Sequence, residues 1–179
     1  MMMSEKRRVR ERRLYEASLS GNVQALEALF EEDTLILDKL SLTSSFDHDH
    51  DDHETPLHIA ALRGHSDFTK ALLSRKPELT TELDSLLNSP LHLASSEGHL
   101  DIVRKLLEAK NIAEDDFSKA QNEDGITSLH LAAMNGRVEV VKLLIWTRPE
   151  SIYEKLEKRE ETVLHVCQVQ PLEGFEDFG

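Results

Sequence analysis

Apolar and polar residues follow a helical period in short blocks along most of the chain. In TPLHIAALRGH at 55–65, Leu57, Ala60 and Ala61 fall on one side of a helix, and Gly64 follows them. Because apolar residues recur every three or four positions, the pattern predicts short amphipathic helices. Four further blocks with this spacing predict a second helix in each unit: VQALEALF at 23–30, DFTKALL at 67–73, DIVRKLL at 101–107 and VEVVKLLI at 138–145.

The second helices are expected to expose charge on one face and to bury leucine on the other. The expected exposed residues are Lys70, Arg104 and Lys142, and the expected buried ones are Leu72, Leu106 and Leu144. Two short helices cannot bury such an apolar face alone, so neighbouring units must stack.

The first block of each unit recurs at a nearly constant interval. TPLHIA at 55–60, SPLHLA at 89–94, TSLHLA at 127–132 and TVLHVC at 162–167 start 34, 38 and 35 residues apart. A glycine comes four residues after the alanine in three copies, and Ala17 and Gly21 keep this interval in a degenerate first copy. A period in the thirties predicts a solenoid of stacked units.

The recurring polar residues suit the ends of the first helices. A Thr or Ser hydroxyl caps free amides, proline fits the first helical position, and glycine ends the helix. Histidines that recur in one register, and His65 and His99 after the glycines, are interpreted as polar ties to backbone and hydroxyl groups rather than as catalytic groups. The predicted structural frame is Thr55, Pro56, His58, Gly64, Pro90, His92, Gly98, Thr127, His130, Gly136 and His165.

This repeat resembles the ankyrin repeat, which has a similar period and a T-P-L-H-x-A signature. The resemblance implies an all-α solenoid of helix–turn–helix units joined by loops or β-hairpins, with four full units and a partial fifth. It places the array at 14–167, with units near 14–45, 55–88, 89–126 and 127–161 and a partial unit at 162–170.

Three segments are similar to the ankyrin half of plant proteins that end in a membrane-embedded PGG domain: NSPLHLASSEGHLDIVRKLL, DGITSLHLAAMNGRVEVVKLL and RPESIYEKLEKREETVLH. That likeness implies a cytoplasmic location and a role in defence or stress signalling. The chain departs from the pattern after TVLHVCQ, where Pro171 replaces the expected glycine and an irregular tail, 171–179, follows. A short isoform, a truncated gene and a mispredicted gene all fit this ending, and we expect the partial fifth unit to fray first.

Charge separates the first residues from the rest of the chain. The net charge is −13, but residues 1–13 carry six Lys and Arg against two Glu, which leaves −17 on the remainder. The basic arm, 1–13, is either a patch for anionic lipid or nucleic acid or a solvated start of a helix. Because phosphate binding needs clustered cations, the acidic body makes nucleic acid the weaker alternative.

The sequence predicts no enzyme and no cofactor. It contains none of G-x-S-x-G, H-E-x-x-H, the P-loop and G-x-G-x-x-G. The single cysteine, Cys167, shares its register with Ala60 and Ala94, so it is expected to be a small core residue. One cysteine also indicates a reducing compartment, and no apolar run is long enough to span a membrane.

An acidic, histidine-rich insertion, FDHDHDDHE at 46–54, precedes the second unit. Imidazole and carboxylate groups ligate Zn²⁺, but here they crowd one polar loop without an apolar shell. We therefore predict no metal site, with His48, His50 and His53 as weak candidates. A second insertion, 109–125, is either an extended loop tip that contacts partners or a tolerated surface insertion.

Protein partners are expected on the concave face that ankyrin arrays form from loop tips and first helices. The residues just before each repeat glycine are the candidates: Leu19, Ser20, Leu62, Arg63, Ser96, Glu97, Met134 and Asn135. Leu62 and Met134 are interpreted as apolar anchors in a polar rim, or alternatively as packing between units. Trp146 is expected to cover the C-terminal end of the array, and the protein is expected to be a monomer without a small-molecule substrate.

Overall fold

The computed structural model of the protein describes residues 2–41, 54–109, 119–153, 155 and 162. In these residues the chain forms helix pairs, and short 3₁₀ helices at Pro77–Thr81 and Pro149–Tyr153 follow two of the second helices. The α-helices, in chain order, are α1 (Met2–Ser20), α2 (Val23–Glu32), α3 (Ile36–Ser41), α4 (Pro56–Arg63), α5 (Ser66–Arg75), α6 (Pro90–Glu97), α7 (Leu100–Ala109), α8 (Ser128–Met134) and α9 (Val138–Thr147). The predicted all-α repeat solenoid is confirmed.

The first helices begin and end where the polar frame predicts. The Thr55 hydroxyl accepts a hydrogen bond from the His58 amide at the start of α4, and Pro56 takes the first position. Gly64 ends α4 in the left-handed conformation at φ +79°, where a residue with a Cβ would be strained. Ser89 and Gly98 stand at the two ends of α6, and Gly98 is also left-handed at φ +83°, so the repeated letters mark repeated helix ends.

The helices form two layers. The first helices α1, α4, α6 and α8 pack in succession, and the second helices α2, α5, α7 and α9 pack in succession beside them. Leu72 and Leu106 are fully buried between the layers and Leu144 is 5% exposed, while Lys70 and Arg104 are exposed and Lys142 is partly exposed. The predicted division of the second helices into a buried and a charged face is therefore confirmed for α5, α7 and α9.

Two of the connections between units contain antiparallel backbone pairs. Antiparallel backbone pairing joins Gln121 to Thr127 and Lys155 to Thr162. These are isolated pairs, and the part of the chain that the structure describes contains no longer strand. Of the expected loops or β-hairpins, the described residues contain only these two isolated backbone pairs.

The basic arm continues into the first unit without a break. Helix α1 runs from Met2 to Ser20, so the boundary near residue 13 is not a boundary of secondary structure. Arg10 Nη1 lies 2.8 Å from Asp33 Oδ2, and Arg13 Nη1 lies 2.9 Å from Glu32 Oε2. Carboxylates at the end of α2 therefore hold the C-terminal half of the arm against the array.

Trp146 does not cover the end of the array, and that prediction is wrong. Its side chain is 82% exposed, because it lies on the side of α9 opposite the buried Val140 and Leu144. Residues 42–53, Cys167, His165 and the tail lie outside the described residues, as does the weak metal candidate loop. No helix among those described is long and apolar enough to cross a membrane.

Candidate protein-binding surface

The imidazole of His58 joins the start of one unit to the turn before the next. Nδ1 lies 2.8 Å from Thr55 Oγ1, and Nε2 lies 2.9 Å from the carbonyl oxygen of Asn88. A carbonyl accepts only, so Nε2 carries the proton and Nδ1 accepts from the Thr55 hydroxyl and amide. One neutral ring thus satisfies a helix cap and a loop carbonyl together.

Both bonds recur at His92, and the bond to the hydroxyl at the helix start recurs at His130. His92 Nδ1 lies 2.8 Å from Ser89 Oγ, and its Nε2 lies 3.2 Å from the carbonyl oxygen of Ile126. His130 Nδ1 lies 2.7 Å from Thr127 Oγ1. His58 and His92 thus each join a helix start to a loop carbonyl, and His130 bonds the hydroxyl at the start of its own helix.

Burial favours the neutral form of two of these rings, His58 and His92, by lowering their pKa values. Loss of solvent lowers the pKa of His58 below its ordinary value of 6.5, against the opposing effects of the Asn88 carbonyl and the Asp84 carboxylate. Burial lowers the pKa of His92 as well, opposed chiefly by the Ile126 carbonyl. A neutral ring whose two nitrogens both bond to structural groups has no free nitrogen for proton transfer. These rings therefore support the fold.

A second set of ties connects consecutive first helices. His65 Nε2 lies 3.0 Å from the carbonyl oxygen of Leu19, and His99 Nε2 lies 3.2 Å from that of Leu62. Arg137 Nε donates to the carbonyl oxygen of Ser96 at 2.9 Å. Each of these side chains follows a repeat glycine and binds the end of the preceding first helix.

The preceding glycine makes room for each of these side chains. A Cβ at Gly64 would lie 2.7 Å from the His99 ring, and a Cβ at Gly98 would lie 2.7 Å from the Arg137 side chain. Arg137 was not singled out from the sequence, because it is not a histidine. Its position directly after Gly136, in register with His65 and His99, is the signal that identifies it.

These ties hold the backbone at Leu19, Leu62 and Ser96, three of the residues expected to contact partners. The candidates occupy the last turns of α1, α4, α6 and α8, which pack in order, so equivalent positions follow one another along the array. Asn135 Nδ2 donates to Ser96 Oγ at 3.1 Å, and Arg137 Nη2 lies 4.0 Å from Glu97 Oε2. The structure therefore brings two candidates of neighbouring units, Ser96 and Asn135, into contact.

The candidates form an inner and an outer row. Leu19, Leu62 and Ser96 are partly buried, and Met134 in the same register is 37% exposed. The outer row is exposed and consists of Ser20, Arg63, Glu97 and Asn135. Leu62 is thus partly covered by packing while Met134 presents more of its side chain, so the two predicted anchors are not equivalent.

Three exposed leucines are not among the residues that the sequence predicts to contact partners. Leu83, Leu86 and Leu87 lie in the turn before α6 and are 43%, 56% and 46% exposed. The positions next to the repeat glycines, which the sequence favours for binding, do not include them. A comparison of the two turns in the sequence identifies them, because the corresponding residues before the next unit are Gln121, Asp124 and Gly125, none of which is apolar.

The fold defines a repeat solenoid of stacked helix–turn–helix units, a class built for binding rather than around a single pocket. The family model "Ankyrin repeats (3 copies)" matches residues 14–116, and the family model "Ankyrin repeats (many copies)" matches residues 91–145. The chain belongs to the ankyrin-repeat family. No curated protein matches the chain.

Proposed function

We propose that the protein is a non-catalytic interaction module whose partner binds the rows formed by the ends of α1, α4, α6 and α8. The observation that carries this proposal is the succession of ties from His65, His99 and Arg137, which hold the backbone at the ends of α1, α4 and α6. A rigid surface loses little conformational entropy when a partner binds. Exposed polar residues beside Leu62 and Met134 supply the polar rim typical of interfaces.

The ion pairs of α1 favour this function over binding of lipid or nucleic acid through the basic arm. Arg10, Arg12 and Arg13 each lie within 3.1 Å of a carboxylate oxygen of Asp33, Glu16 or Glu32. A paired guanidinium would have to lose its carboxylate before it could neutralise a phosphate. The chain as a whole carries −13, which repels polyanions.

We further propose a cytoplasmic role in plant defence or stress signalling, on the resemblance of three segments to the ankyrin half of PGG-domain proteins. The identity of a captured partner tests this part. A cytoplasmic signalling protein supports it, whereas a partner from a secretory compartment contradicts it.

A pull-down from a lysate of the source tissue tests the binding surface. The double variant Leu62→Glu, Met134→Glu alters the inner row, and the matched control Lys70→Glu, Arg104→Glu alters exposed positions on α5 and α7. Circular dichroism establishes that each variant is folded. We expect the first variant to lose the partner that wild type retains and the control to keep it. Loss only with the control places the interface on the second helices and refutes the proposal.

A further inference from the structure

The turn before α6 and the turn before α8 share one pattern of hydrogen bonds, both between backbone groups and from backbone to side chain. We call residues 83–88 the leucine turn and residues 121–126 the glycine turn. In the leucine turn the Asp84 carboxylate accepts from the amides of Leu86 and Asn88. In the glycine turn the Asn122 side-chain oxygen accepts from the amides two and four residues later in the same way. The two turns therefore have equivalent backbone conformations, and their residues can be compared position by position.

The leucine turn has apolar residues at three positions where the glycine turn has polar residues or glycine. Leu83, Leu86 and Leu87 stand where the glycine turn has Gln121, Asp124 and Gly125. Leu87 adopts φ +58° and Gly125 adopts φ +74°. A leucine in this left-handed region costs roughly 1 kcal/mol more than a glycine. Leu87 is 46% exposed, so burial within the chain does little to offset that cost.

The two turns are held side by side. The Glu123 amide donates to the Leu86 carbonyl oxygen at 2.9 Å, and Asn122 Nδ2 donates to Asn88 Oδ1 at 3.0 Å. The Asp84 side chain that organises the leucine turn is buried. The exposed leucines thus sit on a fixed backbone, next to the exposed acidic residues Glu123 and Asp124.

We propose that Leu83, Leu86 and Leu87, together with the adjoining Glu123 and Asp124, form a docking surface for a basic amphipathic segment of a partner protein. The leucines supply the apolar contact, and the carboxylates and the net charge of −13 select Lys and Arg around it. This inference rests on the proposed function and names the chemistry of the partner. Contact with the leucines would bury apolar area that the fold leaves in water.

The leucines distinguish this surface from general attraction of cations to an acidic protein. The variant Leu86→Asp, Leu87→Gly converts the tip of the leucine turn to the residues of the glycine turn, and it adds one negative charge. If charge alone attracts a basic peptide, this variant binds more tightly than wild type. If the leucines contact the peptide, it binds more weakly.

Isothermal titration with a synthetic amphipathic peptide, leucine on one face and lysine on the other, tests the docking surface. We expect wild type to bind and the Leu86→Asp, Leu87→Gly variant to lose roughly tenfold or more in affinity, the size expected for removal of anchor residues. Leu35→Ser is the matched control, since Leu35 is 55% exposed but lies after α2, and it is expected to bind like wild type. A peptide with serine in place of leucine is expected to bind weakly to all three proteins.

The same titration defines the results that overturn the inference. Equal or tighter binding by the Leu86→Asp, Leu87→Gly variant, or no binding by wild type, removes the leucine turn as a docking surface. Sedimentation that shows a leucine-dependent dimer of the wild type also overturns it, because a second copy then covers the turn. If that variant is unfolded by circular dichroism, Leu86→Ser, which leaves Leu87 in place, takes its role.

Failure of this inference is separable from failure of the proposed function. A partner that is lost with Leu62→Glu, Met134→Glu but kept with Leu86→Asp, Leu87→Gly leaves the interaction module standing and removes only the leucine turn. A partner lost with the turn variant alone moves the interface from the helix ends to the turns.

Discussion

Nε2 of His65 lies 3.0 Å from the carbonyl oxygen of Leu19, 46 residues earlier in the chain. The ring occupies the space where Gly21 has no side chain, since a Cβ there would lie 2.5 Å from Nδ1. The His65 side chain thus binds the last turn of α1 and packs between the first unit and the second. His99 and Arg137 repeat this contact at the ends of α4 and α6.

Alanine at a repeat glycine should cost more where such a side chain fills the space. Both Gly64 and Gly136 have positive φ, so alanine strains either by about 1 kcal/mol. At Gly64 the new Cβ would also push against His99 and its bond to Leu62, which adds roughly 1–3 kcal/mol of overpacking. Urea unfolding of Gly64→Ala and Gly136→Ala measures the difference. Equal losses in the two variants would mean that the histidine tie does not constrain the glycine.

Acidification should destabilise the protein through its buried histidines. The pKa values of His58 and His92 are lower in the folded state than the ordinary 6.5, so the unfolded chain binds more protons below pH 6.5. Their contribution to stability is complete above 6.5 and is lost as the pH falls toward the folded pKa values. NMR titration of the two imidazoles checks the cause. Ring signals that titrate at or above 6.5 would contradict it.

Arg10 should contribute to stability and Arg12 should not. The Arg10–Asp33 pair is partly buried, with side chains 33% and 13% exposed, and it joins α1 to the end of α2. The Arg12–Glu16 pair lies within α1, with side chains 69% and 60% exposed. We expect Arg10→Ala to lower the free energy of unfolding by about 1 kcal/mol and Arg12→Ala by less than about 0.5 kcal/mol. Denaturant unfolding at low and high salt measures both losses. A larger loss for Arg12→Ala would show that the arm is not held by Asp33.

Glycine should be tolerated at position 87 and not at position 86. Leu87→Gly removes the strain of a leucine at positive φ, a gain of about 1 kcal/mol. This gain offsets the entropic cost of glycine, roughly 0.5–1 kcal/mol. Unchanged or slightly raised stability is therefore expected. Leu86→Gly has only the entropic cost and should lose about 0.5–1 kcal/mol. Thermal unfolding of the two variants compares them, and a clear loss for Leu87→Gly would show that the fold itself needs the leucine.

The repeated part of the fold could be predicted from the sequence because each contact is made by residues that recur together. Thr55 with His58, and Gly64 with the residue after it, appear several times at the same spacing. The buried leucines of α5, α7 and α9 followed from a period of three or four. Local chemistry fixes these features, so one unit predicts the next.

Features that occur once were predicted less well. Trp146 was assigned to the end of the array, but its position on α9 leaves it in water. The leucine turn was overlooked because its strain at Leu87 depends on a backbone angle that the letters do not show. The expectation that residues 162–170 fray first stays a prediction, as do the binding rows themselves.

Position-specific photo-crosslinking tests the central claim most directly. A photoreactive residue is placed at Met134 in the inner row and, in a second protein, at Arg104 on the exposed face of α7. If the partner binds the ends of the first helices, position 134 forms a covalent adduct with the captured partner and position 104 forms none. An adduct from position 104 alone would show that the partner binds the second helices and would contradict the account.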